Sequence, residues 1–409
     1  MSDHPISPRP SDDFTRPIAA MLSYSVAAMI VGQSCLFTIL PPIGRQVGLA
    51  EYQIGLIMSV HGLFMLFTGP IAGAMSEKIG RRRILVGGTA LYAVSIVAFG
   101  VIIDAALRGL IAAGAMVVAL VMSRAVFAMG AGAVLPGSMA LAADLTSREN
   151  RMKAMSLLAT SVSAGAIIGP SFAALSTGIG PSAPFYIIGA FAFAGAVAAR
   201  FILPEPRVVA GRSATGGGAL WFARPGLIAL ANAMYLVGCY GIFSILGFLF
   251  QDRFELSTTD ASRVMGLGLM TSAAMNVVTQ TFVVRRLTVD PWIMLAVGIP
   301  ITVIGFLVID FGTSVAVVIL GMLINAVGQG VAGSAFSTAL SLSAGPSAQG
   351  RVAGLSTSAQ AIAFLFGPAG AATIYQFSPP SIFVVACVSA GAAMCAVPLV
   401  RRPAPQFNG

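Results

Sequence analysis

The hydrophobic positions of this chain fall in long unbroken runs, and short polar segments separate one run from the next. Apolar runs of about twenty residues are typical of membrane-spanning helices, because that length crosses the hydrocarbon core of a bilayer. The pattern predicts twelve spans, the first of which is expected to end at Pro41-Pro42. Their expected positions are residues 18–41, 52–75, 84–104, 113–141, 154–176, 183–203, 226–251, 259–283, 291–310, 314–341, 352–376 and 380–400.

Composition supports a membrane protein and argues against a soluble enzyme. Of the 409 residues, 57% are hydrophobic and 9% are charged, whereas about 25% of the residues of a soluble domain are charged. The stretch before Arg16 has acids and prolines but no apolar core, so we do not expect a cleavable signal peptide. The chain also lacks a nucleophile–base pair and a long polar block, which disfavours a membrane enzyme and a sensor with a soluble output domain.

The cysteines give no reason to expect a metal site or a cofactor. All four lie within apolar runs, without the spacing of zinc ligands, and the chain has only two histidines. We interpret them as small hydrophobic residues. They are Cys35, Cys239, Cys387 and Cys395.

Basic residues are distributed very unequally between the two predicted sides of the membrane. Eighteen Lys and Arg fall on the side of the chain termini, and four (Arg45, Arg108, Arg253 and Arg263) fall on the other. The positive-inside rule therefore predicts a multi-pass protein with both termini in the cytoplasm. The basic residues that give the net charge of +9 are then expected to face anionic lipid headgroups rather than nucleic acid.

A charged motif separates the second and third spans, between Gly69 and Arg83. Gly69 and Gly73 share one face of a helix, where they would allow another helix to approach closely. The segment Gly73-Ala-Met-Ser-Glu-Lys-Ile-Gly-Arg-Arg resembles the loop between spans two and three of the major facilitator superfamily, with Glu77 where the family usually has Asp. Gly80 is expected to break the helix at this point.

Two further segments are similar to motifs of the same family. Arg124, followed by Gly130 and Gly132, resembles the arginine and glycine run of the fourth span, although Phe127-Ala128 replaces a common Gln-Gly pair. The fifth span resembles the Gly-x-x-x-Gly-Pro motif of the family's antiporters at Gly165, Gly169 and Pro170. Ser156 and Ala173-Ala174 depart from that motif.

The chain also contains an internal repeat. Gly130-Ala-Gly132 matches Gly328-Gln-Gly330, and Gly169-Pro170 matches Gly367-Pro368, both at an offset of 198 residues. With the resemblance, this repeat implies an all-α membrane protein of twelve transmembrane helices in two pseudo-symmetric six-helix bundles, working as a monomer.

The expected domains follow from the repeat and the polar linker between its copies. They are a cytoplasmic tail (1–17), an N-terminal bundle (18–207), a cytoplasmic linker (208–224), a C-terminal bundle (225–402) and a second cytoplasmic tail (403–409).

The charged motif has two interpretations: a topology signal or a latch between the two bundles. As a latch, Glu77 would face the start of the eleventh helix near Gly350-Arg351, and Arg81 or Arg82 would pair with Asp144. Both contacts are expected only in the outward-open state. The residues assigned to this gating motif are Gly73, Glu77, Lys78, Gly80, Arg81, Arg82 and Asp144.

Arg124 and His61 are the candidates for substrate binding or proton coupling. A charge near mid-membrane costs about 2.5–3.5 kcal/mol on insertion scales, so Arg124 should face a cavity or a partner. It either binds an anionic group or takes part in coupling, or it bonds only to neighbouring helices. His61 is either a protonation switch or a neutral imidazole bonded within the bundle.

No Asp or Glu is expected deep within a span, which disfavours a dedicated pump for organic cations. A cavity containing Arg124 and His61 suits neutral or anionic amphiphiles better. Further candidates for substrate contact, chosen for their polarity and expected depth, are Gln33, Tyr235, Asn325 and Gln360.

The resemblance implies a secondary transporter of the bacterial inner membrane, exporting a drug or metabolite by proton antiport through rocker-switch alternating access. Its partners would be the substrate, protons and the bilayer. The chain has no Gly-x-x-x-x-Gly-Lys-Ser/Thr loop, so ATP is not expected to drive it. A proton-coupled uptake symporter and an uncoupled uniporter or lipid flippase remain alternatives.

Overall fold

The computed structural model describes residues 14–147, 150–205, 224–286, 289–344 and 349–400. Most of the predicted tails and linker therefore lie outside the described residues. Within these ranges the chain forms twelve α-helices and no strand. The helices are α1 (Arg16–Gln46), α2 (Glu51–Ile79), α3 (Arg81–Leu107), α4 (Ala113–Leu145), α5 (Arg151–Ser176), α6 (Ala183–Ile202), α7 (Arg224–Phe254), α8 (Thr258–Val278), α9 (Pro291–Asp310), α10 (Val315–Leu342), α11 (Gln349–Phe377) and α12 (Ser381–Val400).

Ten of these helices are long and apolar enough to cross a membrane, judged by length and composition over the described residues. An apolar stretch of α12, Ser381–Cys395, is shorter. Helix α8 is more polar, because it begins with Asp260 and Arg263 and carries Asn276 near its end. It continues into a π-helical turn (Thr279–Val283) and a short 3₁₀ turn (Val284–Arg286).

The expected end of the first span at Pro41-Pro42 is wrong, since α1 continues through both prolines to Gln46. The prolines lack backbone N–H groups, so the carbonyls of Phe37 and Thr38 lose their usual helical donors. The proline rings fill the space beside Gly247 of α7, where an added Cβ would come 2.9 Å from each. The prolines therefore form part of a contact between the two halves of the molecule.

The two glycine landmarks of the first half make close helix contacts. A Cβ on Gly130 of α4 would come 2.6 Å from the backbone nitrogen of Tyr92 on α3. A Cβ on Gly169 of α5 would come 2.7 Å from the carbonyl oxygen of Val31 on α1. Gly165 lies against the same helix, where an added Cβ would come 2.8 Å from the Ala27 carbonyl oxygen. Only glycine permits these approaches.

The second half repeats both contacts, as the sequence repeat predicts. Gly328 of α10 lies against Thr302 of α9, and Gly367 of α11 lies against Val237 of α7. The pairs α3–α4 and α1–α5 of the first half thus correspond to α9–α10 and α7–α11 of the second. This repetition gives two similar six-helix bundles.

The halves meet mainly along two helix pairs, α2 with α11 and α5 with α8, and α1 also contacts α7 and α8. A Cβ on Gly55 of α2 would lie 2.6 Å from the Pro368 carbonyl oxygen, and Gly62 packs directly on the α11 backbone near Ala361 and Leu365. We call the face with the α2–α3 and α4–α5 turns the basic face, and the opposite face the distal face.

The predicted close approach at Gly69 and Gly73 is wrong for this structure. Apart from its own helix, a Cβ at either position would have no heavy atom of a described residue within 4 Å. Helices α2 and α11 touch near the distal face and separate toward the basic face, so these glycines lie at the separated end. The space between the halves opens there.

Candidate functional site

A cavity of about 890 Å³ lies between the two halves and is lined by residues of both. Gln33 and His61, near the middle of α1 and α2, line its inner end. From there the cavity extends to Met139 of α4 and Gly354 of α11. The last two residues lie near the helix ends at the basic face. The cavity is therefore open toward the basic face.

The cavity wall is apolar and aromatic, with uncharged polar groups placed among the hydrophobic ones. None of the described lining residues is Asp, Glu, Lys or Arg. Such a wall suits an amphiphilic small molecule, because it offers large apolar contacts and a few directional hydrogen bonds. The aromatic lining residues are Phe37, Phe127, Tyr240, Phe243 and Phe364, and the polar side chains include Gln33, His61, Asn276, Gln280, Gln329 and Gln360.

Phe364 of α11 occupies the centre of an aromatic cluster that joins the halves. Its ring stacks on Tyr240 of α7 with centroids 4.3 Å apart. From the other half, Phe37 of α1 lies 6.0 Å away and His61 of α2 lies 5.4 Å away, centroid to centroid. The cluster forms the inner end of the cavity.

Arg124 of α4 is completely buried behind the cavity wall. Its Nη2 donates to the Gln33 side-chain oxygen at 2.8 Å, and its guanidinium carbon lies 4.2 Å from the centre of the Phe127 ring. The Nε and Nη1 atoms have no hydrogen-bond partner among the described residues. No described carboxylate forms an ion pair with Arg124.

His61 lines the cavity, with 9% of its surface exposed. Its ring meets Phe127 and Phe364 edge to face, with centroids 5.7 Å and 5.4 Å away. Its Nδ1 atom is buried without a hydrogen-bond partner. Nδ1 therefore does not make the hydrogen bond expected for a neutral imidazole bonded within the bundle.

Two predicted substrate contacts, Tyr235 and Asn325, do not line the cavity, because their side chains face the bundle interior. Tyr235 is buried, and its hydroxyl lies 2.7 Å from the Thr302 hydroxyl of α9. Asn325 is fully buried, and its amide nitrogen donates to the Thr302 carbonyl. Asn325 acts on the cavity only indirectly, since its oxygen accepts a 2.6 Å hydrogen bond from the lining residue Gln329. Gln360, in contrast, lines the cavity directly.

The distal face is closed by an ion-pair network that the sequence interpretation missed. Arg45 of α1 donates to Asp252 of α7, at 2.5 Å from Nη1 and 2.9 Å from Nη2. Its Nε also donates to Glu51 of α2 at 2.9 Å. The Tyr375 hydroxyl of α11 donates to Asp252 at 2.9 Å. The sequence signal for this contact was a base near the end of the first helix of one half, Arg45, and an acid near the end of the first helix of the other, Asp252.

Two arginines of the charged motif, Arg81 and Arg82, form their ion pairs within the N-terminal half. Arg81 Nε donates to Asp144 at 2.9 Å, and Arg81 Nη1 donates to the Ser76 hydroxyl. Both helices of this ion pair belong to the same half, so it forms while the cavity is open at the basic face. With the basic face in the cytoplasm, as the sequence predicts, the pair thus also exists outside the outward-open state. Lys78 is exposed, and the side chain of Glu77 lies outside the described residues.

Arg82 has a different partner, Glu205, which follows α6. The Glu205 carboxylate accepts from the backbone nitrogen of Arg82 at 3.1 Å and lies 3.7 Å from its Nε. It occupies the space beside Gly80, whose φ of +115° is a conformation that side-chain-bearing residues rarely adopt. Glu205 thus caps the start of α3 and fixes the turn.

Comparison with known proteins agrees with this architecture. The sequence profile of the Major Facilitator Superfamily matches residues 22–368. A structure of a bacterial homologue of the human lysosomal transporter Spinster, in an inward-facing and occupied conformation, superposes with a TM-score of 0.72. That comparison covers 94% of this chain and 96% of the other at 16% identity.

Among curated proteins, Multidrug resistance protein 1 of Bacillus subtilis (strain 168) is 26% identical over 61% of this chain and 62% of its own length. Quinolone resistance protein NorA of Staphylococcus aureus (strain N315) is 23% identical over 59% of this chain and 58% of its own length. The chain thus spans about three-fifths of the length of these two relatives. Long apolar helices in two halves around a central cavity define a multi-pass membrane protein. The chain belongs to the Major Facilitator Superfamily.

Proposed function

We propose that this protein is a secondary transporter that exports a small neutral or anionic amphiphile by alternating access, in exchange for protons. The observation that carries the proposal is the uncharged, aromatic cavity of about 890 Å³, open at one face and closed at the other by Arg45 and Asp252. Opening one face while closing the other moves a bound molecule across the membrane.

The orientation of the protein gives the direction of transport. With the base-rich face in the cytoplasm of a bacterial inner membrane, as the positive-inside rule favours, the cavity faces the cytoplasm. Export is further supported by the resemblance of the segment from Gly165 to Pro170 to the antiporter motif of the family. The names of the relatives, which concern multidrug and quinolone resistance, also support it. We expect a monomer, with the substrate, protons and lipid as its partners.

Proton exchange is the energy source that we favour. Each proton moving inward releases about 2.3 kcal/mol per 100 mV of membrane potential. Among the described lining residues, His61 is the group whose ordinary pKa lies near neutrality. An uncoupled uniporter or flippase is the second candidate, because no described carboxylate lines the cavity to carry the proton.

Proteoliposomes containing the full chain and a pH-sensitive dye test the proposal. A panel of anionic, neutral and cationic amphiphiles is added, and both substrate flux and proton flux are followed. Substrate-dependent proton movement in the opposite direction supports antiport. Movement of both in the same direction supports a symporter, and substrate flux without protons supports a uniporter. Absence of flux for the whole panel would contradict transport of amphiphiles.

A further inference from the structure

We propose that the transported molecule carries an anionic group, such as a carboxylate, and that this group binds at Gln33 in front of Arg124. The inference rests on the proposed transport function and narrows its substrate from any neutral or anionic amphiphile to an organic anion. The binding site is formed by Gln33, Arg124 and His61, at the inner end of the cavity.

The charge of Arg124 is not balanced by any described carboxylate. A fully buried guanidinium is strongly unfavourable unless an anion or several hydrogen bonds compensate for it. Here one nitrogen has a neutral amide partner, and Nε and Nη1 have none. The Phe127 ring contributes a cation–π contact, which carries no negative charge. The site therefore lacks a counter-ion among the described residues.

Gln33 connects the charge of Arg124 to the cavity. Its side-chain oxygen is occupied by Arg124, so its amide nitrogen is the group left to bind something else. That nitrogen is buried and has no partner, although Gln33 itself lines the cavity. An amide whose oxygen is bound to a cation is a stronger donor, because hydrogen bonds in a chain polarise one another.

His61 provides a second unpartnered nitrogen at the same end of the cavity. It lines the same cavity, and its ring, like the Arg124 guanidinium, packs against Phe127. Its Nδ1 atom is also buried and unpartnered. In the tautomer that carries hydrogen on Nδ1, the imidazole is a second donor. Two unsatisfied nitrogens beside an uncompensated cation form a site for an acceptor with negative charge.

The rest of the cavity adds discrimination against cations. No described lining residue carries a carboxylate, so an organic cation would face the field of Arg124 without a partner. The rings of Phe37, Tyr240 and Phe364 offer apolar contacts for the remainder of the molecule. The volume of the cavity lies in the range of about 300–1,000 Å³ that is usual for small-molecule sites.

Three probes with the same ring test the sign of the charge: 1-naphthylacetate, 1-naphthylacetamide and a 1-naphthylmethyl trimethylammonium ion. Binding of each is measured by equilibrium dialysis to the full chain in nanodiscs. We expect the anion to bind at least about tenfold more tightly than the amide, as one hydrogen bond to a charged group contributes. Preferential binding of the cation or the amide would overturn the inference.

Gln33→Glu is the decisive variant, because it provides Arg124 with an internal carboxylate 2.8 Å away. We expect it to raise the melting temperature, while 1-naphthylacetate binding weakens by about tenfold or more. If the anion does not bind at Gln33, the variant would instead leave the affinity for the anion unchanged. Gln46→Glu is the matched control: it adds the same charge at an exposed position near the end of α1, outside the cavity, and should change binding little.

The amphiphile flux assay separates this inference from the transport function beneath it. Transport of the neutral or cationic probe with no preference for the anion would overturn the anion site and leave the transporter intact. Absence of flux for all three probes, with selective binding of 1-naphthylacetate retained, would overturn the transport function and leave the anion site intact.

Discussion

Arg45 of α1 contacts both carboxylate oxygens of Asp252 on α7, which joins the two halves of the molecule at the distal face. The contact is partly exposed, since the two side chains retain 23% and 46% of their surface. Exposed ion pairs contribute about 0–1 kcal/mol each. A closure of this strength holds one state of the protein and still allows it to open.

Replacing Asp252 with Asn should favour opening of the distal face. The change removes the charge that binds Arg45 and weakens the hydrogen bond from Tyr375, so we expect the closed population to fall about fivefold relative to the open one. Alkylation of a cysteine introduced at Ala372, which is buried on α11 against Gly55 of the other half, measures the opening.

Asp260→Asn is the control for this change. Asp260 pairs with Arg263 on its own helix at 3.7 Å, so its charge does not join the halves. Equal alkylation rates in the Asp252 and Asp260 variants would contradict a gating role for Asp252.

Leucine at Gly62 and at Gly73 should trap opposite states. A Cβ at Gly62 would lie 2.6 Å from the Ala361 carbonyl oxygen, so a larger side chain forces α2 and α11 apart at the distal end. Gly73 has open space in this state, so leucine is accommodated here and obstructs closure of the basic face. Both variants should lose transport, with distal cysteines reactive in Gly62→Leu and protected in Gly73→Leu. The same accessibility pattern in both would be incompatible with alternating access.

Glu205→Ala should destabilise the turn between α2 and α3. Loss of a helix-capping carboxylate costs about 0.5–2 kcal/mol, and Glu205 also pairs with Arg82. The variant should therefore have a lower melting temperature and slower transport. Lys78→Ala, at an exposed position in the same motif, should leave the melting temperature unchanged. An unchanged melting temperature in the Glu205 variant would show that the cap is dispensable.

Tyr235→Phe and Gln360→Ala separate structural residues from cavity residues. The first removes a buried hydrogen bond to Thr302, so we expect a loss of about 1 kcal/mol of stability with KM unchanged. The second removes a group from the cavity wall, so KM should rise while stability stays the same. A raised KM in Tyr235→Phe, at normal stability, would return that residue to the substrate site.

The fold was accessible from sequence because membrane spans are defined by local composition and the repeat by glycine spacing. The face of each helix was harder to predict. Spans such as α7 and α10 are apolar around their whole circumference, so polarity alone did not show that Tyr235 and Asn325 face the bundle interior. Gln33, His61 and Gln360 do line the cavity, while their roles stay predictions. The Arg45–Asp252 contact spans 207 positions and depends on how the halves meet.

Spin-label distances at the two faces test alternating access most directly. One pair, at Tyr52 and Gln376, reports the distal face, and another, at Ile71 and Arg351, reports the basic face. Cys387 and Cys395 are replaced by serine, because they are not fully buried. Across pH values and added 1-naphthylacetate, we expect a second population in which the distal distance lengthens and the basic distance shortens. Distances that change in the same direction at both faces, or a distal pair that stays short under every condition, would contradict the mechanism.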